Sequence, residues 1–486
     1  MIATDTTVEN LKFFVQGKWE DPGSRALHDI TNPATARTIA RVPYATAGDI
    51  DRIARLAHDA FLTWRDVPVV DRVQVLYRFK DLLEKHAEDL ARTLTGENGK
   101  TIDDARAEIR RAIQMVEVSC GMPSLMMGQS LENVSRGIDC HTIRQPLGVC
   151  AGITPFNFPG MVPSWMYPFA IACGNSFILK PSEKVPMTPT RLAELLHEAG
   201  LPAGVFNLVH GDKVAVDGLL QHPLVRAVSF VGSTPVAKYI YETAAKNGKR
   251  VQALGGAKNH LVVMPDADLD KTTDAIISSA FGAAGERCLA GSILVPVGEV
   301  AQPLLSLLLE KTRKIAVGDG LDTTTQMGPL VTKAHLQRVE GYVEKGVAEG
   351  ATPLCDGREA KAGDGYFLGP TIFDNVTADM TIAREEIFGP VLSVMRVKDL
   401  DAAVQLVNSS PFGNTTSIFT SDGKSARDYA ARVEAGMIGV NIGVAAPMAF
   451  FPFSGWKQSF FGDLHAHGRD AIAFYTEQKV IMTRWF

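Results

Sequence analysis

Cys288 lies in the run Gly282-Ala283-Ala284-Gly285-Glu286-Arg287-Cys288-Leu289-Ala290, a glycine-rich turn that sets a guanidinium beside a thiol. A neighbouring cation or a helix N-terminus lowers a thiol pKa toward the nucleophilic thiolate, so Cys288 is the candidate for attack on a carbonyl carbon. The commoner fate of a buried cysteine is that of an inert small hydrophobe, and Cys150 and Cys173, within apolar strand-like runs, read that way. Asn157 stands in Thr154-Pro155-Phe156-Asn157-Phe158-Pro159. Prolines and aromatics hold it stiffly, and its amide can donate to an oxyanion forming on the attacked carbonyl; a plain Asn turn is the alternative.

Two further stretches suit a dinucleotide. In Leu179-Lys180-Pro181-Ser182-Glu183 a cation and a carboxylate follow a buried strand. Such a pair can hydrogen-bond the hydroxyls of an adenine ribose at the carboxyl end of a sheet, although it also fits a surface ion pair. No strict GxGxxG is present. The nearest candidate is Phe230-Val231-Gly232-Ser233-Thr234-Pro235, a strand entering a helix through a Gly-Ser-Thr turn. Its N–H groups and hydroxyls can face a pyrophosphate, or can simply cap the helix.

These residues need a scaffold, and the apolar pattern supplies one. Helical spacing runs from Ala47 to Ala91 and again from about Ile102 to Val118. Short apolar runs bounded by Gly or Pro follow at Gly148–Ile153, Ser176–Leu179, Val205–Val209 and Ala227–Val231, as strands buried on both faces of a parallel sheet read. Helical stretches at Pro189–Ala199 and Pro235–Asn247 alternate with them. The second half repeats the alternation, with strands at His260–Met264, Ser292–Val297, Val391–Val397 and Thr416–Phe419, and helices at Ala301–Ile315 and Thr332–Glu349. The expected fold is α/β, in two lobes that share an extensive interface.

The 486 residues carry 49 Lys+Arg against 54 Asp+Glu, a formal charge of −5. Without a basic run there is no footprint for nucleic acid, and a small-molecule substrate is expected instead. The six cysteines include no CxxC pair, which favours a reducing compartment. Met1–Glu20 lacks an uninterrupted signal-peptide core, and no apolar run is long enough to span a bilayer, so no membrane association and a cytoplasmic location are expected. His465 and His467 form the only close histidine pair; a flexible tail is their expected setting, and no metal site is proposed.

Thr154 to Pro159, Lys180 to Glu183, Phe230 to Ser233, Glu286 to Cys288, Glu385-Glu386-Ile387-Phe388-Gly389-Pro390 and Pro452-Phe453-Ser454-Gly455, in this order, together resemble the aldehyde dehydrogenase superfamily over nearly the whole chain. The resemblance implies a doubly wound nucleotide-binding domain (residues 1–130 and 146–255), an α/β catalytic domain (256–455) and a small β oligomerisation arm (131–145 and 468–486) that builds a homotetramer. It implies NAD-dependent oxidation through a thiohemiacetal. Cys288 would be the nucleophile, and Asn157 with the Cys288 N–H would hold the oxyanion. Lys180 and Glu183 would bind the adenosine ribose, Ser233 the pyrophosphate, and Glu386 with Phe388 the nicotinamide ribose. Phe156 stands where many relatives carry Trp, and its aromatic packing role survives the change.

Hydrolytic members carry a general-base Glu in Glu-Leu-Gly-Gly-Lys. Read backward from Lys258, that position falls on Leu254, 34 residues before Cys288. Leucine cannot accept a proton, so the acyl-enzyme should await a better nucleophile than water, such as the thiol of coenzyme A. Gly256-Ala257-Lys258-Asn259-His260, Glu286-Arg287-Cys288 and Pro123-Ser124-Leu125-Met126-Met127-Gly128 are similar to the CoA-acylating methylmalonate-semialdehyde dehydrogenase branch, which commonly has Asn at the position of Leu254. That branch implies methylmalonate or malonate semialdehyde as substrate, loss of carbon dioxide, and arginines for the carboxylate. Arg111 matches one by motif. Arg287 is the other, either gripping the carboxylate or tuning the thiol. A hydrolytic semialdehyde dehydrogenase with some other base is the alternative.

Overall fold

The computed structural model describes residues 8–486 apart from positions 22, 24 and 361. Residues 1–7, part of the stretch examined for a signal-peptide core, lie outside the described residues.

Five parallel strands form the centre of the first sheet, in the order Arg250–Leu254, Val225–Val231, Val149–Ile153, Ser176–Lys180 and Phe206–Leu208. The chain starts in the middle at Val149–Ile153, winds outward to Phe206–Leu208, then returns to build the other half, so the winding reverses between Val149–Ile153 and Val225–Val231. Reversal of this kind leaves a crevice at the carboxyl ends of the two strands, because the loops above them depart in opposite directions. Antiparallel strands close the edges: Phe460–Gly462 beside Arg250–Leu254, and Phe13–Val15 with Lys18–Glu20 beyond Phe206–Leu208. Every residue of Val149–Ile153 and Ser176–Lys180 is buried, as unbroken apolar runs require when helices cover both faces. On one face lie helices Val69–Lys85, Ile102–Cys120 and Met187–Glu198; Ala47–Trp64, Lys213–Gln221 and Thr234–Lys246 bury their apolar stripes in the cluster on the other.

The second sheet has seven strands, ordered Thr352–Cys355, Thr371–Asp374, Val391–Val394, Gly291–Pro296, Asn259–Val263, Thr415–Phe419 and Met437–Val440, all parallel except the first. Arg250–Leu254 ends at the carboxyl edge of one sheet, and four residues later Asn259–Val263 begins at the amino edge of the other. That short passage sets the two edges face to face.

A third sheet joins Ser130–Ser135, Ile138–Pro146 and the C-terminal Thr476–Arg484. Leu131, Val134, Val480, Met482, Trp485 and Phe486 stand exposed on it. The β arm expected over 468–486 is strand only from Thr476; Gly468–Phe474 is helical, because Ala471, Ile472 and Phe474 turn one stripe into the core. Asn175, fully buried, ties this region down: its Oδ1 accepts from the N–H groups of Leu147 (2.7 Å) and Gly148 (3.0 Å), and its Nδ2 donates to the carbonyls of Ala170 (3.1 Å) and Tyr475 (2.9 Å). Asn175→Ala would leave the Leu147 and Gly148 N–H groups and the Tyr475 carbonyl without a partner, the Ala170 carbonyl keeping the N–H of residue 175 (3.0 Å), and we expect a loss of about 3 kcal/mol in urea unfolding.

Candidate active site

The loop after Val149–Ile153 and the turn before Gly291–Pro296 meet in the gap between the two sheets. Helix Leu269–Phe281 stops at Gly282, and Ala283, Ala284 and Gly285 follow with φ of 47°, 51° and 72°. Left-handed backbone is costly for alanine and persists only where the surroundings over-determine it. Here they do. Asp104 accepts from the Ala283 N–H (3.1 Å) and pairs with Arg287 at 2.6 Å, while a Cβ at Gly285 would lie 2.3 Å from the Gly389 carbonyl oxygen. The Cys288 carbonyl accepts from Asn259 Nδ2 and Asn414 Nδ2, both at 2.9 Å, and Asn259 also reaches the Ala290 carbonyl at 2.8 Å. With its carbonyl gripped behind it, Cys288 faces the cavity.

Asn157, also buried, is brought beside this turn and donates from Nδ2 to the Glu286 carbonyl at 2.9 Å. Its own carbonyl accepts from Lys100 Nζ at 2.6 Å, and Lys100 is paired with Glu108, again at 2.6 Å, with both side chains out of solvent. The second oxygen of Glu108 accepts from the N–H groups of Gly160 (2.8 Å) and Met161 (3.1 Å). A buried ion pair survives in a low-dielectric interior when its remaining valences are satisfied, and this pair meets that condition by holding the Asn157 loop at both ends. Nothing in the local sequence marks Lys100 or Glu108, since what they hold lies more than fifty residues away.

Phe156 and Phe388 meet edge to face, 5.7 Å between centroids, with the Lys184 ammonium 4.7 Å above the Phe156 ring. Helix Lys333–Ala348 fixes the Glu386–Phe388 stretch through its carbonyls: Arg338 donates to those of Glu386 (2.8 Å) and Ile387 (2.6 Å), and His335 Nε2 to that of Phe388 (2.7 Å). Glu386 Oε1 accepts from the Ala257 N–H at 2.9 Å, and a Cβ on Gly256 would come within 2.3 Å of its other oxygen. Lys180 and Glu183 are not the surface pair of the plain reading. Lys180 is buried at the carboxyl end of Ser176–Lys180, 3.2 Å from the Glu183 carboxylate. Burial works to raise the Glu183 pKa, but Lys180, a backbone N–H and Lys184 outweigh it and hold the carboxylate below its usual range. Ser233 begins helix Thr234–Lys246 without making a side-chain cap, which leaves its hydroxyl and the helix N-terminus available to an anion. Thr234 is committed elsewhere, accepting from the Gly256 N–H at 2.8 Å.

A cavity of about 160 Å³ opens on Cys288. Phe158, Met161, Trp165, Val444 and Phe453 give it apolar walls, and five charged residues reach it: Lys100, Asp104, Glu108, Arg111 and Arg287. Four of them are paired, Lys100 with Glu108 and Arg287 with Asp104. Arg111 has no acidic partner among the described residues. It donates to the carbonyls of Ala446 (3.2 Å) and Pro447 (3.4 Å) and to Gln114 Oε1 (3.2 Å), and burial draws its pKa down from the usual arginine value. His467 lines this cavity, 1% exposed, instead of lying in a flexible tail; Trp165 and Phe453 pack around its ring. His465 is likewise held, by Asp470 at 3.1 Å.

The expectation that Arg287 lowers the thiol pKa gives only part of the balance. Burial and then the Glu386 carboxylate push the Cys288 thiol up to about 12, and Arg287 and two backbone N–H groups only partly offset them. Arg287 is spent on Asp104 and on the Ser278 carbonyl (3.1 Å).

Two parallel sheets edge to edge, with a cysteine at the seam and an anion-ready crevice above one of them, define an oxidoreductase of the aldehyde dehydrogenase class. The aldehyde dehydrogenase family model matches residues 19–481, and the chain belongs to that family. It is 53% identical over 485 residues to a malonate-semialdehyde dehydrogenase of Halalkalibacterium halodurans, covering 100% of both chains. Identity to malonate-semialdehyde dehydrogenase 1 of Geobacillus thermodenitrificans is 52% over 482 residues, 99% of this chain and 100% of that one. Among solved structures, a methylmalonate-semialdehyde dehydrogenase of Oceanimonas doudoroffii superposes with a TM-score of 0.97 at 46% identity, covering 98% and 99% of the two chains. A protein of Sinorhizobium meliloti assigned the same activity, crystallised with NAD, gives 0.97 at 47% over 99% of each.

Two outcomes test this geometry. Lys100→Met should cost about 3–5 kcal/mol in urea unfolding, because Glu108 is left buried and alone; adding Glu108→Leu should recover much of that stability while activity stays low, the Asn157 loop still being unheld. Iodoacetamide should label Cys288 at a rate that climbs from about pH 7 to about pH 10 without levelling off. Glu386→Gln should accelerate labelling above about pH 7, where the carboxyl is ionised, since removing a negative neighbour favours the thiolate.

Proposed function

We propose that the protein oxidises malonate or methylmalonate semialdehyde with NAD and transfers the acyl group to coenzyme A, releasing carbon dioxide and acetyl-CoA or propionyl-CoA. The observation that carries this reading is Arg111: a guanidinium without an acidic partner among the described residues, in the same apolar cavity as Cys288. A substrate that sets its aldehyde on the sulfur and its carboxylate on Arg111 gives that guanidinium its counter-charge.

Cys288 Sγ adds to the aldehyde carbon, and the thiol proton leaves for solvent. Asn157 Nδ2 and the Cys288 N–H donate to the oxyanion of the thiohemiacetal. NAD, when bound, accepts the two electrons that turn this adduct into a thioester. Its residues are Lys180 and Glu183 for the adenosine ribose, Ser233 for the pyrophosphate, and Glu386, Phe388 and Phe156 around the nicotinamide ribose; the uncapped Ser233 turn and the buried Glu386 fit such a group. Glu183, beside the ribose hydroxyls, favours NAD over a cofactor bearing a 2′-phosphate. Arg287 orders the nucleophile turn through Asp104, which already takes up its charge.

The thioester then waits. Leu254 ends Arg250–Leu254 with 3% exposure, within the apolar cluster that Cys288 packs against, and offers water no base. A coenzyme A thiolate attacks the thioester carbon, the Cys288 thiolate leaves, and acyl-CoA departs; the β-carboxylate is lost as carbon dioxide, its C–C electron pair passing into the thioester enolate, whose carbon takes a proton from solvent. The exposed apolar residues of the third sheet suit a homotetramer built from dimers.

One observation favours hydrolysis instead. Burial raises Glu386 to about 7, against the Ala257 N–H, Lys258 and Arg338, and a carboxyl near neutrality whose charge is felt at the sulfur has the pKa of a general base. Steady-state turnover of malonate semialdehyde with and without coenzyme A, with the acyl product weighed, separates the two readings. Sustained NADH formation requiring coenzyme A and yielding acetyl-CoA supports acylation; undiminished turnover without it, giving free acid, assigns hydrolysis. In the same assay Leu254→Glu should increase acid release. Arg111→Leu should raise KM for malonate semialdehyde about tenfold more than KM for propanal.

A further inference from the structure

Two ring nitrogens on residues that line the same cavity as Arg111 lack partners. Trp165 Nε1 and His467 Nδ1 are buried, both residues line the cavity, and neither atom has a hydrogen-bond partner among the described residues. The two rings meet edge to face at 5.3 Å, and Phe453 fits against both, at 4.8 Å from Trp165 and 6.2 Å from His467. Buried N–H groups are almost always paired, and leaving one unpaired is destabilising. An indole N–H can only donate. His467 is held there at further cost, with φ of 47° in a residue other than glycine. Burial and the Arg111 charge lower its pKa to about 4 despite the nearby carbonyls of Phe451 and Ala449, so the ring enters the cavity neutral.

We infer that His467 and Trp165 are substrate-binding residues, whose ring N–H groups join Arg111 to form a three-donor seat for the carboxylate of the semialdehyde. A carboxylate is acceptor-only and offers about four lone-pair sites. Arg111, part of whose donor set is already given to the Ala446 and Pro447 carbonyls, cannot fill them all. Neutral donors complete the seat without adding charge to an apolar wall. The inference rests on the anionic substrate proposed above and extends it to which residues select that anion.

The test compares kcat/KM for malonate semialdehyde with kcat/KM for propanal in His467→Gly, His467→Asn and Trp165→Phe, using Arg111→Leu as reference. Glycine accepts the left-handed backbone and removes the ring; asparagine tolerates the same backbone and restores an N–H. His467→Gly and Trp165→Phe should each lower the ratio about tenfold, and His467→Asn should recover most of it. Inhibition by 3-hydroxypropionate, which keeps the carboxylate and lacks the aldehyde, should weaken in parallel. A ratio unchanged in the histidine and tryptophan variants but lowered by Arg111→Leu overturns this inference alone, and so does a His467→Asn variant as impaired as the glycine one. If Arg111→Leu also leaves the ratio unchanged, the anionic substrate itself is wrong.

Discussion

The Cys288 carbonyl, gripped by two asparagine side chains, is the contact on which the site depends. Asn259 opens one strand of the second sheet and Asn414 sits beside the start of its neighbour, so two parallel strands hold one oxygen. A peptide unit is planar, and fixing its oxygen restricts where its two flanking residues can go. The left-handed run through Ala283, Ala284 and Gly285 then has one way to reach the strand Gly291–Pro296, past Asp104 and the Gly389 carbonyl. Nucleophile, oxyanion amide and the Glu386 segment are assembled by groups that do no chemistry of their own.

The electrostatics follow the same division. Buried charges around the sulfur are cancelled locally, Lys100 by Glu108 and Arg287 by Asp104, and each pair is used to hold backbone. The Arg111 guanidinium at the cavity has no acidic partner among the described residues, and the Glu386 carboxyl lies near the thiol; the one biases what can bind and the other when the sulfur ionises. In its resting form the thiol is held protonated, which protects a cysteine that reacts with carbonyls from reacting with oxidants.

Much of the scaffold could be read from the chain because its cause is local. The runs Val149–Ile153 and Ser176–Lys180 are apolar throughout since both faces are covered, and the helices Ala47–Trp64 and Ile102–Cys120 repeat their apolar stripe at helical spacing. The β arm expected over 468–486 fails at its start, where the apolar run Ala471–Phe474 is too short to tell strand from helix and the helix Gly468–Phe474 buries it. For the site, type and order of residues pointed to Cys288, Asn157 and Glu386. Lys100, Glu108, Asp104 and Asn414 left no trace, since each acts on groups far along the chain. Asn259 stood in a quoted motif with no role attached, and His467 was misjudged because glycine and histidine neighbours suggest solvent while Trp165 and Phe453 close over it.

Only four residues, Gly255 to Lys258, carry the chain from one sheet to the other, and they are themselves tied by Thr234 and Glu386. A bridge so short leaves the sheets no room to slide, so the reacting atoms keep one spacing whatever the substrate. The cavity walls come from elsewhere: the helix Ile102–Cys120, the segment from Val444 to Phe453, and His467. Evolution can therefore reshape which aldehyde is admitted by altering pieces that never touch the sulfur, keeping the chemistry constant while the clientele changes.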